Sequence, residues 1–134
     1  MERIRCACLI IIEKDKLLLV RVQDNLKWYL PGGKIEEGET AEQTLVRETA
    51  EELNIQLLPE SIRYLTTIIG PAYNQNAEVE LICFSADWKG SISPNAEISE
   101  VAFFDYSEKH HFAPAICLFF EKWLNPYLAS TSSR

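Results

Sequence analysis

The chain has no long apolar run: the longest, Cys6 to Ile12, is seven residues, where a helix crossing a bilayer needs about 20. This argues against a membrane span. Nor does the stretch behind Met1-Glu2-Arg3 read as an export signal, because it is short, strand-like and without a small-residue cleavage site. Basic side chains are scarce, 13 Lys and Arg against 20 Asp and Glu, a formal charge of −7. That balance argues against a nucleic-acid polymer as partner. A small phosphorylated ligand is still compatible with it if a divalent cation sits between carboxylate and phosphate. The four cysteines, Cys6, Cys8, Cys83 and Cys117, lie in apolar runs with no C-x-x-C pair. They read as reduced core thiols and point to a cytoplasmic protein.

What remains is an ordinary globular composition, 47% hydrophobic and 25% charged over 134 residues. It suits a single domain, placed at 1–128, with a polar tail at 129–134 that has nothing to pack. Arg3 to Ile12 and Leu17 to Val22 are rich in β-branched residues around the polar Glu13-Lys14-Asp15-Lys16 and predict a hairpin. Trp28-Tyr29-Leu30 is a short strand-like piece cut by Pro31-Gly32-Gly33. Thr40, with Gln43 three residues on, predicts a capping box. The helix it opens carries Ala41, Leu45, Val46, Thr49, Ala50 and Leu53 on one side and closes near Asn54. Ile62 to Ile69 and Val79 to Trp88 read as antiparallel strands, Val101 to Phe104 as a further strand, and Pro114 to about Leu124 as a last, largely buried helix. Strands before and after a helix, with a second helix at the end, give an α/β layered domain around a mixed sheet.

The chemistry concentrates on the first helix. With each residue advancing about 100°, Glu48, Glu51 and Glu52 share one arc, a stripe of carboxylates at the domain's surface. Like charges at this spacing cost a few tenths of a kcal/mol per pair unless something positive sits among them. Oxygen ligands without His or Cys suit a hard ion, magnesium or manganese, better than zinc. An isolated E-x-x-E-E is also a common solvated face. Here its neighbourhood differs: a Gly-Gly loop precedes the helix, and Arg47 adjoins Glu48 where it can orient a carboxylate.

Gly33, Glu39 and Arg47-Glu48-Thr49-Ala50-Glu51-Glu52-Leu53-Asn54-Ile55 together resemble the Nudix box. Asn54 stands where the pattern closes on glycine, and Thr49 fills an aliphatic slot with a side chain shaped like Val. The similarity extends to Trp28-Tyr29-Leu30-Pro31-Gly32-Gly33-Lys34 and Glu36. It implies a Nudix-type α/β/α sandwich around a mixed β-sheet, and a site assigned position by position. Glu48, Glu51 and Glu52 would hold Mg2+ or Mn2+, joined by the Gly32 carbonyl. Arg47 and Glu39 would brace Glu48, and Glu48 or Glu52 would serve as base. A further acid from outside the box would be Glu97 or Glu100, with Glu97 preferred. Arg21 and Lys34 would contact substrate, and Gly33 would shape the loop.

The implied activity is Mg2+-dependent hydrolysis of the phosphoanhydride in a nucleoside di- or triphosphate derivative, a small-molecule nucleotide substrate. The MutT-like hydrolases of oxidised guanine nucleotides look closest. Their ending resembles Phe112-Ala113-Pro114-Ala115, but Ile116 follows where they carry a base-reading Asn. A guanine contact would then fall to Asn74, Gln75 or Asn76. ADP-ribose or another nucleotide sugar is the rival substrate. A Nudix-like nucleotide-binding regulator without turnover, an acidic metal-buffering or interaction domain, and a homodimer stay open.

Overall fold

The computed structural model describes residues 1–132. Its central sheet has the order β4-β1-β7-β6, built from β1 (Glu2–Leu9), β4 (Gly32–Lys34), β6 (Arg63–Pro71) and β7 (Ala77–Ser85). β1 and β7 run parallel, with Cys8 opposite Cys83, while the β4–β1 and β6–β7 pairs are antiparallel. A second sheet joins β2 (Ile12–Glu13), β3 (Lys16–Val22) and β9 (Ile98–Phe104). A small third one pairs β5 (Gln56–Leu57) with β8 (Trp88–Lys89).

The predicted hairpin is therefore corrected. Only Ile12 and Glu13 pair with β3, and β1 lies in the central sheet instead. The chain passes between sheets at Ile10 and Ile11, both buried, whose amide and carbonyl are used by different strands: Ile10 N–H donates to Phe84 O and Ile11 O accepts from Leu18 N–H. The predicted Val79–Trp88 strand likewise ends at Ser85, and Trp88 starts a separate pairing. Segment 28–30 is held by two isolated bridges, Val20 to Tyr29 and Trp28 to Phe112.

Alternation along β1 sends Ala7 and Leu9 to one face and Cys8 to the other. Ala7 and Leu9 pack with Leu45 and Leu53 of α1 (Ala41–Leu53). Cys8 packs in a second cluster with Ala115, Ile116, Phe119, Phe120 and Leu124 of the C-terminal helix. One helical layer lies on each face of the sheet, the α/β/α sandwich expected. Each fully buried Leu contributes about 1.5–3 kcal/mol, so these two interfaces hold the layers together.

The C-terminal helix is α2 (Pro114–Phe119), a π-helical turn at Phe120–Leu124, and α3 (Asn125–Ser132). Helix continues where a tail from 129 was expected, because Trp123 and Tyr127 stack in series on Phe119 and carry the chain onward. Residues 133–134 of that expected tail lie outside the described residues. No helix among the described residues is long and apolar enough to cross a membrane.

Candidate active site

Helix α1 begins as its sequence dictates. Thr40 accepts from Gln43 N–H at 3.1 Å, and the Gln43 side chain accepts from Thr40 N–H at 2.9 Å, a reciprocal cap worth about 1 kcal/mol. Asn54 ends it at φ 59°, ψ 36°, a left-handed conformation that asparagine adopts at little cost. The buried side differs from the expected apolar stripe. Thr44 and Glu52 are buried and Ala50 is exposed. The acids thus do not form one surface stripe: Glu52 is 7% exposed, Glu48 is partly buried and Glu51 is exposed.

The reason is β4. A Cβ on Gly33 would stand 2.4 Å from Glu48 Cδ, and one on Gly32 would stand 1.9 Å from the Ala7 carbonyl oxygen. Gly32 also has φ +135°. Only a pair of glycines lets this strand fill the gap between β1 and the acidic side of α1. The Gly32 N–H then donates to Glu52 Oε1 at 2.9 Å.

Arg47 organises the other acids. Its guanidinium donates to both Glu39 oxygens at 2.8 and 2.9 Å and to Glu48 Oε2 at 2.7 Å, and lies 3.9 Å from Glu51. Glu39 also accepts from Thr44 Oγ1 at 2.8 Å and from Glu36 N–H at 3.2 Å. These bonds, the Arg47 fork first, hold the Glu39 carboxyl down at about 2. The two inner acids behave in the opposite way. Burial raises Glu48 despite Arg47. Burial, reinforced by Glu48, Glu97 and Glu51, pushes Glu52 up to about 8 against the single Gly32 bond that favours its ionised form. Four carboxylates with one guanidinium among them leave negative charge that the protein does not neutralise.

Among the described residues, no three acid, His or Cys side chains converge as a ready-made metal cage, since Glu48 is turned to Arg47 and Glu52 to Gly32. The donor set nevertheless fits a hard dication. It is carboxylate oxygen on an electrostatically frustrated helix face, and the nearby Cys6 thiol is pushed up to about 11, chiefly by burial, so it stays protonated.

The remaining sequence candidates fall in different places. Glu97 is close enough to raise both Glu48 and Glu52. Glu100 instead pairs with Arg21 directly across the β3–β9 ladder. Arg21 lies within β3, with its guanidinium 5.9 Å from the Trp28 ring. It is the neighbouring Val20 and Val22 that face the cleft. Lys34, at the end of β4, is exposed.

That cleft, about 300 Å³, opens from Gly32, Gly33 and Glu52 toward Asn25, Tyr29, Tyr73, Gln75 and Ile116. Tyr73 lines it, whereas Trp28, Phe84 and Phe119 are core. Asn25 carries no motif and Tyr29 was read only as part of the Trp28–Lys34 similarity, so the sequence assigned neither of them a role in the site. Gln75 is the member of the Asn74-Gln75-Asn76 loop that reaches the cleft.

Known proteins match both fold and site region. An ADP-ribose pyrophosphatase of Methanocaldococcus jannaschii is 33% identical over 123 residues, 88% of this chain and 69% of that one. A Bacillus subtilis protein named as a candidate 8-oxo-dGTP diphosphatase is 43% identical over 44 residues, 33% of this chain and 30% of that protein. The solved MutT protein of Methanosarcina mazei superposes with TM-score 0.75 at 21% identity, covering 94% of this chain and 95% of that one. Residues 1–116 match the NUDIX domain. With its acidic helix seated on a glycine pair and its match over residues 1–116, this chain belongs to the Nudix family, hydrolases that act on pyrophosphate bonds, in general with divalent metal ions and nucleotide substrates.

Proposed function

We propose that the protein is a Mg2+-dependent pyrophosphohydrolase of nucleoside di- or triphosphate derivatives, with Mn2+ able to replace Mg2+. The observation that carries this reading is the cleft itself, an apolar and aromatic chamber whose polar end is Glu52 and the Gly32-Gly33 turn. At about 300 Å³ it lies at the small end of ligand pockets and suits one base with its sugar. Glu48, Glu51 and Glu52 would hold the metal, with the Gly32 carbonyl and Glu97 as further oxygen donors and Lys34 near the phosphates. A bound dication neutralises the pyrophosphate and acidifies a water. For its part the protein fixes Glu48 through Arg47 and Glu39, and holds Glu52 Oε1 on the Gly32 amide. With a dication bound, the Glu52 proton would be displaced, and its ionised Oε2 would accept a proton from water as that water bonds to phosphorus and the anhydride phosphorus–oxygen bond breaks. The four free thiols suit a reducing, cytoplasmic setting.

ADP-ribose is the second reading, favoured by the archaeal relative. Incubation with Mg2+ and a panel of nucleoside triphosphates, 8-oxo-dGTP, ADP-ribose and nucleotide sugars, followed by phosphate release with added phosphatase, tests both. Turnover lost in EDTA and restored by Mg2+ is the expected result. Saturable binding without products would make the protein a regulator, and silence across the panel would refute the reading.

A further inference from the structure

Val20, Val22 and Ile116 give the cleft apolar walls. Asn25 and Tyr29 bring hydrogen-bonding groups to them. Asn25 Nδ2 donates to the Tyr29 hydroxyl oxygen at 3.4 Å. An amide nitrogen only donates, so the phenol is the acceptor in this pair and keeps its own proton for another partner. Among the described residues no protein acceptor takes that proton. The Tyr29 backbone is fixed by reciprocal bonds to Val20 at 2.8 and 2.9 Å, which leaves the hydroxyl as the group that can read a ligand. Partial burial, with Tyr73 opposite, raises the phenol above its ordinary value, so it stays protonated at neutral pH.

We infer that Tyr29, oriented by Asn25, is a specificity-determining donor that selects nucleobases presenting a ring carbonyl over those presenting an exocyclic amine at the same ring position. This rests on the nucleotide reading above. A carbonyl oxygen accepts the Tyr29 proton. An amine would set donor against donor, and the apolar side chain of Ile116 offers no acceptor in compensation. Asn25 acts through Tyr29 as a positioning residue, since its N–H occupies the lone pair that would otherwise let the phenol accept from an amine. One neutral hydrogen bond in a partly open cleft corresponds to about 3- to 10-fold in kcat/KM.

The test compares substrate pairs in which a ring carbonyl beside a ring N–H replaces an exocyclic amine beside a bare ring nitrogen: ITP with ATP, UTP with CTP, and inosine diphosphate ribose with ADP-ribose. In the pair turned over fastest, the wild-type protein should favour the carbonyl member by about 3- to 10-fold. Tyr29→Phe should bring that ratio close to one. Asn25→Asp should invert it, because a carboxylate takes the Tyr29 proton and turns the phenol into an acceptor. A merely structural role for Asn25 would lower both members of the pair together. A ratio that survives Tyr29→Phe, an amine-preferring wild type, or an Asn25→Asp ratio equal to the wild-type one overturns this inference alone. Absence of turnover on all six compounds overturns the nucleotide reading beneath it.

Discussion

Replacing Glu52 by Gln removes one titration from the protein while keeping a side chain of the same size whose oxygen can still accept from Gly32 N–H. In the folded, metal-free chain Glu52 titrates at about 8, against an ordinary value of 4.5. The native state therefore holds a proton that the unfolded chain has released across that interval. The stability this confers is fully present below pH 4.5 and is lost as pH rises through 8. At 1.36 kcal/mol per unit, the loss between pH 5 and 9 is about 4 kcal/mol, or roughly 2 M in the urea midpoint for a domain of this size. Urea unfolding in chelator at pH 5, 6, 7, 8 and 9 should show the wild-type midpoint falling relative to that of Glu52→Gln, with the gap widening steadily from about pH 5 and levelling off above about pH 8. Turnover of Glu52→Gln should be lower by two or more orders of magnitude, within the range of a lost general base. Parallel midpoint curves for the two proteins would refute the buried, proton-holding carboxyl. A folded Glu52→Gln protein with normal turnover would refute its part in the chemistry.

The two glycines should separate fold from site. Gly32→Ala places a Cβ 1.9 Å from the Ala7 carbonyl oxygen at φ +135° and should cost more than about 3 kcal/mol, seen as loss of the cooperative thermal transition. The nearest atoms to a Cβ on Gly33 all belong to the Glu48 side chain, which can turn away. Gly33→Ala should therefore stay folded while turnover drops about 10- to 100-fold, the scale of a small misplacement at a reacting centre. Equal thermal effects of the two would contradict the geometry. Arg47→Lys keeps the charge but loses the fork that grips Glu39 and Glu48 together, and should lower kcat about 10- to 100-fold with a thermal midpoint near that of wild type. Full activity would show that Glu48 needs no brace. Glu97→Gln should lower kcat and weaken Mg2+ activation more than Glu100→Gln, whose partner Arg21 is on the β3–β9 ladder. The reverse order in a Mg2+ titration would reassign the outer acid.

Local chemistry in the sequence was enough for α1: a capping box, three acids at helical spacing and an asparagine suited to the left-handed cap all act within a few residues. The same holds for the glycine pair, though not for its purpose, since the Ala7 carbonyl that forbids a side chain on Gly32 is 25 positions away in the chain. The burial of Glu52 was invisible because a helix pattern reports which side is apolar, and not that a strand without side chains will cover the acidic one. The false hairpin has a similar origin. Arg3 to Ile12 and Leu17 to Val22 look alike in composition, and only the distant β7, contacted along the whole of β1, decides that β1 belongs to another sheet. The cleft was least legible: Gln75 and Ile116 were marked by resemblance alone, and nothing local in the sequence brings Asn25 and Tyr29 to the same chamber.

The alternation of β1 has a bearing on how such a protein can change over generations. Its even-numbered side chains, Ile4, Cys6 and Cys8, face the chamber, while Ala7 and Leu9 seat the acidic helix. Substitutions at the even positions can therefore reshape what the chamber admits while the odd positions keep the acidic helix seated. One strand thus lets ligand preference drift while the bond-breaking apparatus stays put.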